Sequence, residues 1–148
     1  MSLTEKTWQE VERVLADSGL AVLATEGANG PACGLLAIAL AEEPRCVVFA
    51  TERDTEKFRN LAQDPRASFL IDDRMSAEGR IAGTTSVRLD GTAAEATGAR
   101  REELIALLAA THPDLEDFFR ADECVVLECG ITDCEIVRSF RQAGPERG

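Results

Sequence analysis

Apolar and polar positions change their period several times along the chain, and each change marks an element. Within 4–17 an apolar stripe of Trp8, Val11, Val14 and Leu15 recurs at helical spacing, which predicts an amphipathic helix. Thr4 stands where it can cap the helix start, and Gly19 where it can end it. "GLAVLAT" (19–25) then reads as a short strand, and "EGANGP" (26–31) carries turn chemistry. Two apolar runs follow, "ACGLLAIAL" (32–40) and "RCVVFAT" (45–51), separated by the polar "AEEP". That gap is too short for a parallel crossover, so the two runs are predicted to be antiparallel neighbours.

A short helix is predicted over 55–63, with Phe58, Leu61 and Ala62 on one side. Asp64-Pro65 stops it, because the residue before proline is pushed out of the helical region. "ASFLID" (67–72) reads as a strand and 73–84 as a flexible loop. The segment 85–97 alternates over Val87, Leu89 and Gly91, predicting a strand that the glycine can bend. A second helical section is expected in 100–119, then strands at 124–129 and 134–140, and a frayed tail over 141–148. About six strands in hairpin-like succession, with helices early, midway and late, predict one mainly β (α+β) domain over 1–148. Its expected architecture is a closed or nearly closed antiparallel barrel with flanking helices.

The chain has 148 residues and a formal charge of −11. That charge argues against non-specific binding to nucleic acid or to anionic membranes, both polyanions, but leaves room for one small anion in a local basic pocket. The start, "MSLTEKTWQEVER", is amphipathic and acidic and reads as neither a signal nor a transit peptide. The expected compartment is the cytoplasm. The five cysteines (Cys33, Cys46, Cys124, Cys129 and Cys134) form no close pair and are expected as reduced, mostly buried thiols.

Candidate chemistry concentrates in "FATERDTEKFRNLAQDP" (49–65). Thr51 ends an apolar run, Thr55 is placed as a helix cap, and Lys57 and Arg53 bring positive charge to the helix start. Free backbone N–H groups and the helix dipole favour an anion there, and a phosphate monoester would suit it. The plainer reading is a Thr-capped surface helix with a solvated Lys. Cys124, Cys129 and Cys134 are spaced by five. On an unbroken strand such residues alternate faces, so they read as core thiols rather than metal ligands, although Gly130 could break the strand. His112, before Pro113, reads as a cap on helix-end carbonyls, with haem ligation as the alternative. Trp8 reads as the anchor of the first helix, with stacking on a ring as the minor alternative.

The segment "VVFATERDTEKFRNLAQDPRASFLIDD" (47–73) resembles the signature region of the pyridoxamine-phosphate-oxidase-like flavoproteins, the FMN-binding split β-barrels. In that family a strand ends in aromatic-x-Thr or Ser, followed by a Lys, an Asn-Leu pair, an Asn/Asp-Pro-Arg and an apolar strand. Here these are Phe49, Thr51, Lys57, Asn60-Leu61, Asp64-Pro65-Arg66 and "ASFLID". "GLAVLAT", "TTSVRLDGTAAEA" and "HPDLEDFF" extend the likeness from about residue 4 to 140.

The resemblance implies a six-stranded antiparallel split barrel and a homodimer with FMN between the subunits. It implies Thr51 and Lys57, with Glu56 at the neighbouring position, at the FMN phosphate. It sets Ala50 near the cofactor and the second strand, Cys33, Gly34, Leu35 and Leu36, beside the isoalloxazine ring. The sequence departs from the true oxidase: the second strand has no basic residue, Glu56-Lys57 replaces an Arg-Lys pair, and the terminal Arg-x-His is missing. Pyridoxamine phosphate oxidation is therefore not expected. Arg88 or Arg74 of a second subunit could supply the missing cation. The expected function is an FMN-dependent oxidoreductase acting on a small molecule, with no catalytic acid or base identified. The alternative is a flavin- or haem-binding protein without turnover. A deazaflavin with an oligoglutamate tail suits so acidic a chain poorly.

Overall fold

Both faces of "RCVVFATE" are covered, which is why it reads as an unbroken apolar run. This strand, β3 (Arg45–Glu52), turns Val47 and Phe49 into one cluster and Cys46, Val48 and Ala50 into another. The computed structural model describes residues 3–142. Around β3 are β1 (Leu20–Gly27), β2 (Gly30–Glu42), β4 (Arg66–Asp72), β5 (Thr85–Glu95) and β6 (Cys124–Arg138). They run in the order β3-β2-β1-β4-β5-β6, all antiparallel, and β6 pairs back onto β3 to close a six-stranded ring. The predicted antiparallel pairing of the second and third strands is present.

The ring interior holds Leu23, Ile38, Val47, Phe49, Phe69, Ile71, Val87, Leu89, Val125, Leu127 and Ile136. Helix α1 (Glu5–Ala16) adds Trp8, Val11, Val14 and Leu15, the predicted stripe, all buried. Thr4 caps it by accepting from the Thr7 N–H at 3.1 Å. Gly19, at φ +73°, closes it by donating to Leu15 O at 2.8 Å. Trp8 is fully buried and donates to Glu42, while the Arg45 guanidinium lies 5.2 Å from its ring centroid. Trp8 is thus an anchor. Helix α2 (Glu56–Gln63) adds Leu61 and Phe58 to the same interior. A second cluster lies outside the ring, where α3 (Gly98–Thr111) and α4 (Glu116–Arg120) cover β2, β3 and β6 with Leu104, Ile105, Leu108 and Phe119.

Three expectations are revised. The two strands expected at 124–129 and 134–140 are one continuous strand. Asp90 pairs with Asp133 and Gly91 with Ile131, so Thr132 is an extra residue on β6, a bulge that lets the strand run on. The bulge also resets the alternation, and Cys129 and Cys134 both face the interior while Cys124 faces the outer cluster. The glycine responsible is Gly91, where a Cβ would lie 2.1 Å from Gly130 O. Second, the loop over 73–84 is tethered. Asp17 accepts from the N–H groups of Met75 (2.9 Å) and Ser76 (3.0 Å), Asp73 accepts from Thr85 N–H (2.7 Å), and Ile81–Gly83 forms a 3₁₀ turn. Third, Arg141–Gln142 forms a short strand, β7, on β6, and the rest of the expected tail, 143–148, lies outside the described residues.

Candidate functional site

The β2–β3 ladder runs from Glu42↔Arg45 to Ile38↔Phe49 and stops. Beyond that rung β2 continues through residues 30–37 paired only with β1, while β3 continues through Ala50, Thr51 and Glu52 paired only with β6. The sheet forks here, and among the described residues no strand covers the inner edges of the fork. Ile38 N–H donates to Gly19 O at 3.2 Å. Strand alternation then directs the amide groups of Leu36 and Gly34 towards β1 and those of Cys33, Leu35 and Ala37 towards the open edge. Leu36 packs its side chain on the ring interior, whereas Cys33 and Leu35 are exposed, Leu35 at 66%.

Across the fork β3 hands over to α2. Thr55 caps that helix by accepting from Phe58 N–H at 3.3 Å and donates its own proton to Glu52 O at 2.8 Å. The Thr51 and Thr55 hydroxyls lie 3.2 Å apart, so the Thr51 proton is the one shared between them. Both hydroxyl protons are spent within the turn. A ligand drawing on Thr51 must take it from Thr55. The first-turn N–H groups of Glu56 and Lys57 have no acceptor within the helix. Ala50 turns its side chain into the outer cluster, which leaves only its backbone towards the fork.

Charges near the turn are balanced: residues 52–59 contain three acidic and three basic side chains. Arg53 donates to Glu95 at 2.9 Å with its guanidinium 5.2 Å from the Phe58 ring centroid, and Arg59 pairs with Asp54 at 2.9 Å. Lys57 is half-buried, and its side chain makes no hydrogen bond or ion pair among the described residues. Glu56, at the first helical position, is exposed and opposes an anion.

Several sequence candidates lie elsewhere. Arg88 faces Asp90 (3.2 Å), Glu135 (3.6 Å) and Asp133 (3.9 Å). It pairs with Glu135 on β6 while Thr51 pairs with Val125, so within one chain the two stand roughly 30 Å apart along that strand. Arg74 grips Asp72 with two nitrogens, and those hydrogen bonds lower the Asp72 pKa. Asp64, bonded by the Arg66 side chain and backbone, is held down at about 2. These arginines therefore already serve carboxylates.

The thiols are core. Cys46, Cys124, Cys129 and Cys134 are buried, none of the five cysteines is in a disulfide, and no cluster among the described residues could hold a metal ion. Burial first, then the neighbouring Cys46 and Asp90, push the Cys129 thiol up to about 12. His112 caps α3, but its ring reaches across to Ile38 O, a tie to β2 that sequence gave no sign of. No local pattern announces the fork, since pairing partners are a tertiary property, and only the family resemblance implied a split barrel.

A six-stranded ring that splits beside one helix start defines the class of split β-barrels. A family model for pyridoxamine 5'-phosphate oxidase matches residues 7–122, and the chain belongs to that family. No curated protein matches the sequence. Among solved structures, a haem-binding protein from Mycobacterium smegmatis superposes with TM-score 0.81 at 21% identity. That match covers 96% of this chain and 58% of the other, so this chain spans little over half its length. The haem storage protein of Vibrio cholerae gives 0.72 at 15% identity, covering 93% of this chain and 96% of that one. An FAD-binding protein from Mesorhizobium loti gives 0.65 at 18%, with 86% and 91% covered. At these identities the likeness is one of fold.

Proposed function

We propose that this chain is an FMN-binding flavoprotein that works as a cytoplasmic homodimer and acts as an oxidoreductase on a small molecule. The fork carries the reading: a strand edge with unpaired amide groups stands across from a helix start bearing an unpaired Lys57. The edge of an isoalloxazine ring alternates hydrogen-bond donors and acceptors, and so does a strand edge. Cys33, Leu35 and Ala37 would hold the ring through their backbone. The phosphate would take the Glu56 and Lys57 N–H groups, the Lys57 ammonium and the Thr51 hydroxyl once it leaves Thr55. These residues fit the group in kind. What they lack is a second cation, and Arg88 or Arg74 of a second copy, each released from its carboxylates, would supply it.

The bound flavin supplies the electron-transfer chemistry, and the protein orients it and limits water. Dimerisation is supported by an apolar row on the outer face of β2, β1 and β4, where Leu35, Val22 and Leu70 stand side by side and Leu20 and Leu70 are 40% and 44% exposed. The second reading, a flavin or haem binder without turnover, draws on the haem-binding names among the structural neighbours. The sole histidine, His112, is committed to Ile38 O, which disfavours haem held through it.

The test is the visible spectrum of the purified protein, with mass identification of whatever is released on denaturation. Yellow protein releasing FMN supports the reading, and protein that stays colourless after incubation with FMN overturns it. Stopped-flow reduction of the bound flavin by reduced nicotinamides separates an oxidoreductase from a binder.

A further inference from the structure

The carbonyl of Ile38 has lost its ordinary partner. Its N–H donates to Gly19 O, which makes the two residues a facing pair, yet the Gly19 N–H is turned back onto Leu15 O to close α1. His112 takes the orphaned carbonyl instead, with Nε2 2.8 Å from Ile38 O. A carbonyl only accepts, so Nε2 carries the proton. The ring is seated on both sides. Its centroid lies 6.5 Å from that of Phe119, and a Cβ on Gly19 would come within 2.8 Å of Cε1.

Ile38 is also the last β2 residue on the β3 ladder, opposite Phe49. One residue further the fork opens. The histidine from the end of α3 therefore grips β2 at the point where it leaves β3. We infer that His112 is a positioning residue: it fixes where the fork opens and, resting on the flavin reading, how the edge of residues 33–37 lies against the ring. It touches no ligand itself.

The test compares His112→Leu with His112→Gln, which keeps a donor of similar reach. Two measurements are made on the full chain: amide hydrogen exchange without flavin, and titrations with FMN and with riboflavin. His112→Leu should exchange faster across 36–40 and 48–51 while the β4–β5 ladder is unchanged. FMN and riboflavin should both bind about tenfold more weakly, the size expected for one lost hydrogen bond. His112→Gln should restore most of both. An equal loss for the two flavins marks a ring-side effect, and a general weakening of the fold would not spare β4–β5.

Unchanged exchange at the fork, a loss confined to FMN, or a Gln variant no better than Leu each overturn the inference. Wild-type protein that binds neither flavin sinks the functional reading instead, and the exchange pattern then decides for or against the grip on β2 by itself.

Discussion

The side-chain amide of Asn60 donates to the Thr25 hydroxyl across 3.1 Å in a buried position, tying the middle of α2 to β1. The contact is tight on its far side too, because a Cβ on Gly27 would lie 3.3 Å from Asn60 Nδ2. Asn60 belongs to the motif that marks the family resemblance, and its role here is to hold the helix whose start borders the fork. Asn60→Leu keeps the volume but strands a buried hydroxyl, and we expect it to cost about 1–3 kcal/mol. Denaturant unfolding checks this, as a lowered midpoint at unchanged slope. A midpoint equal to wild type would mean that the tie contributes nothing.

Gly91 makes a sharper demand. With its Cβ position 2.1 Å from Gly130 O and 2.9 Å from Cys129 Sγ, no alanine fits without moving the β5–β6 backbone. Gly91→Ala should destabilise by about 3 kcal/mol. Gly34→Ala, where a Cβ meets nothing within 4 Å, is the control and should leave stability close to wild type. Thermal unfolding of the two variants gives the comparison, and equal melting temperatures would refute the bulge argument.

At the anion site, Lys57→Ala separates the two ends of the proposed ligand. Loss of a charged hydrogen bond should weaken FMN by about 1.5–3 kcal/mol. Riboflavin carries no phosphate, so its affinity should not change. Fluorescence titration reads both. Equal weakening of the two would remove Lys57 from the phosphate, and no change in either would put the phosphate elsewhere.

What could be read in advance follows from how local each signal is. Thr4 and Thr55 sit at helix starts because a hydroxyl three residues before an N–H is a local arrangement, and both cap as expected. Trp8, Val11, Val14 and Leu15 announce their buried face by spacing alone. Strands expected at 124–129 and 134–140 are one strand, because the bulge at Thr132 depends on Gly91 some forty residues earlier. His112 ends its own helix with its backbone N–H on Leu108 O, while its ring serves Ile38, 74 residues away in sequence. At the fork, the chemistry of Thr51, Thr55 and Lys57 was legible from type and order, and the likeness named Cys33 through Leu36. The open edge along residues 33–37 depends on where a ladder stops, and no local pattern encodes that.

Thiol labelling tests both the core and the fork. The thiolate is the reactive form, so a buried thiol with a raised pKa is protected twice, by access and by protonation. Cys129, pushed up to about 12, stays protonated at pH 8, and burial raises Cys46 and Cys124 as well. Only Cys33 is exposed. Iodoacetamide at pH 8, followed by intact mass, should add one group quickly to the native protein and five after denaturation. Cys33→Ser should abolish the fast addition. Because residue 33 lies on the open edge, saturating FMN should slow its labelling, whereas inorganic phosphate, which can fill only the α2 end, should not. Two or more fast thiols would contradict the core described above, and a rate at Cys33 indifferent to FMN would place the ring away from β2.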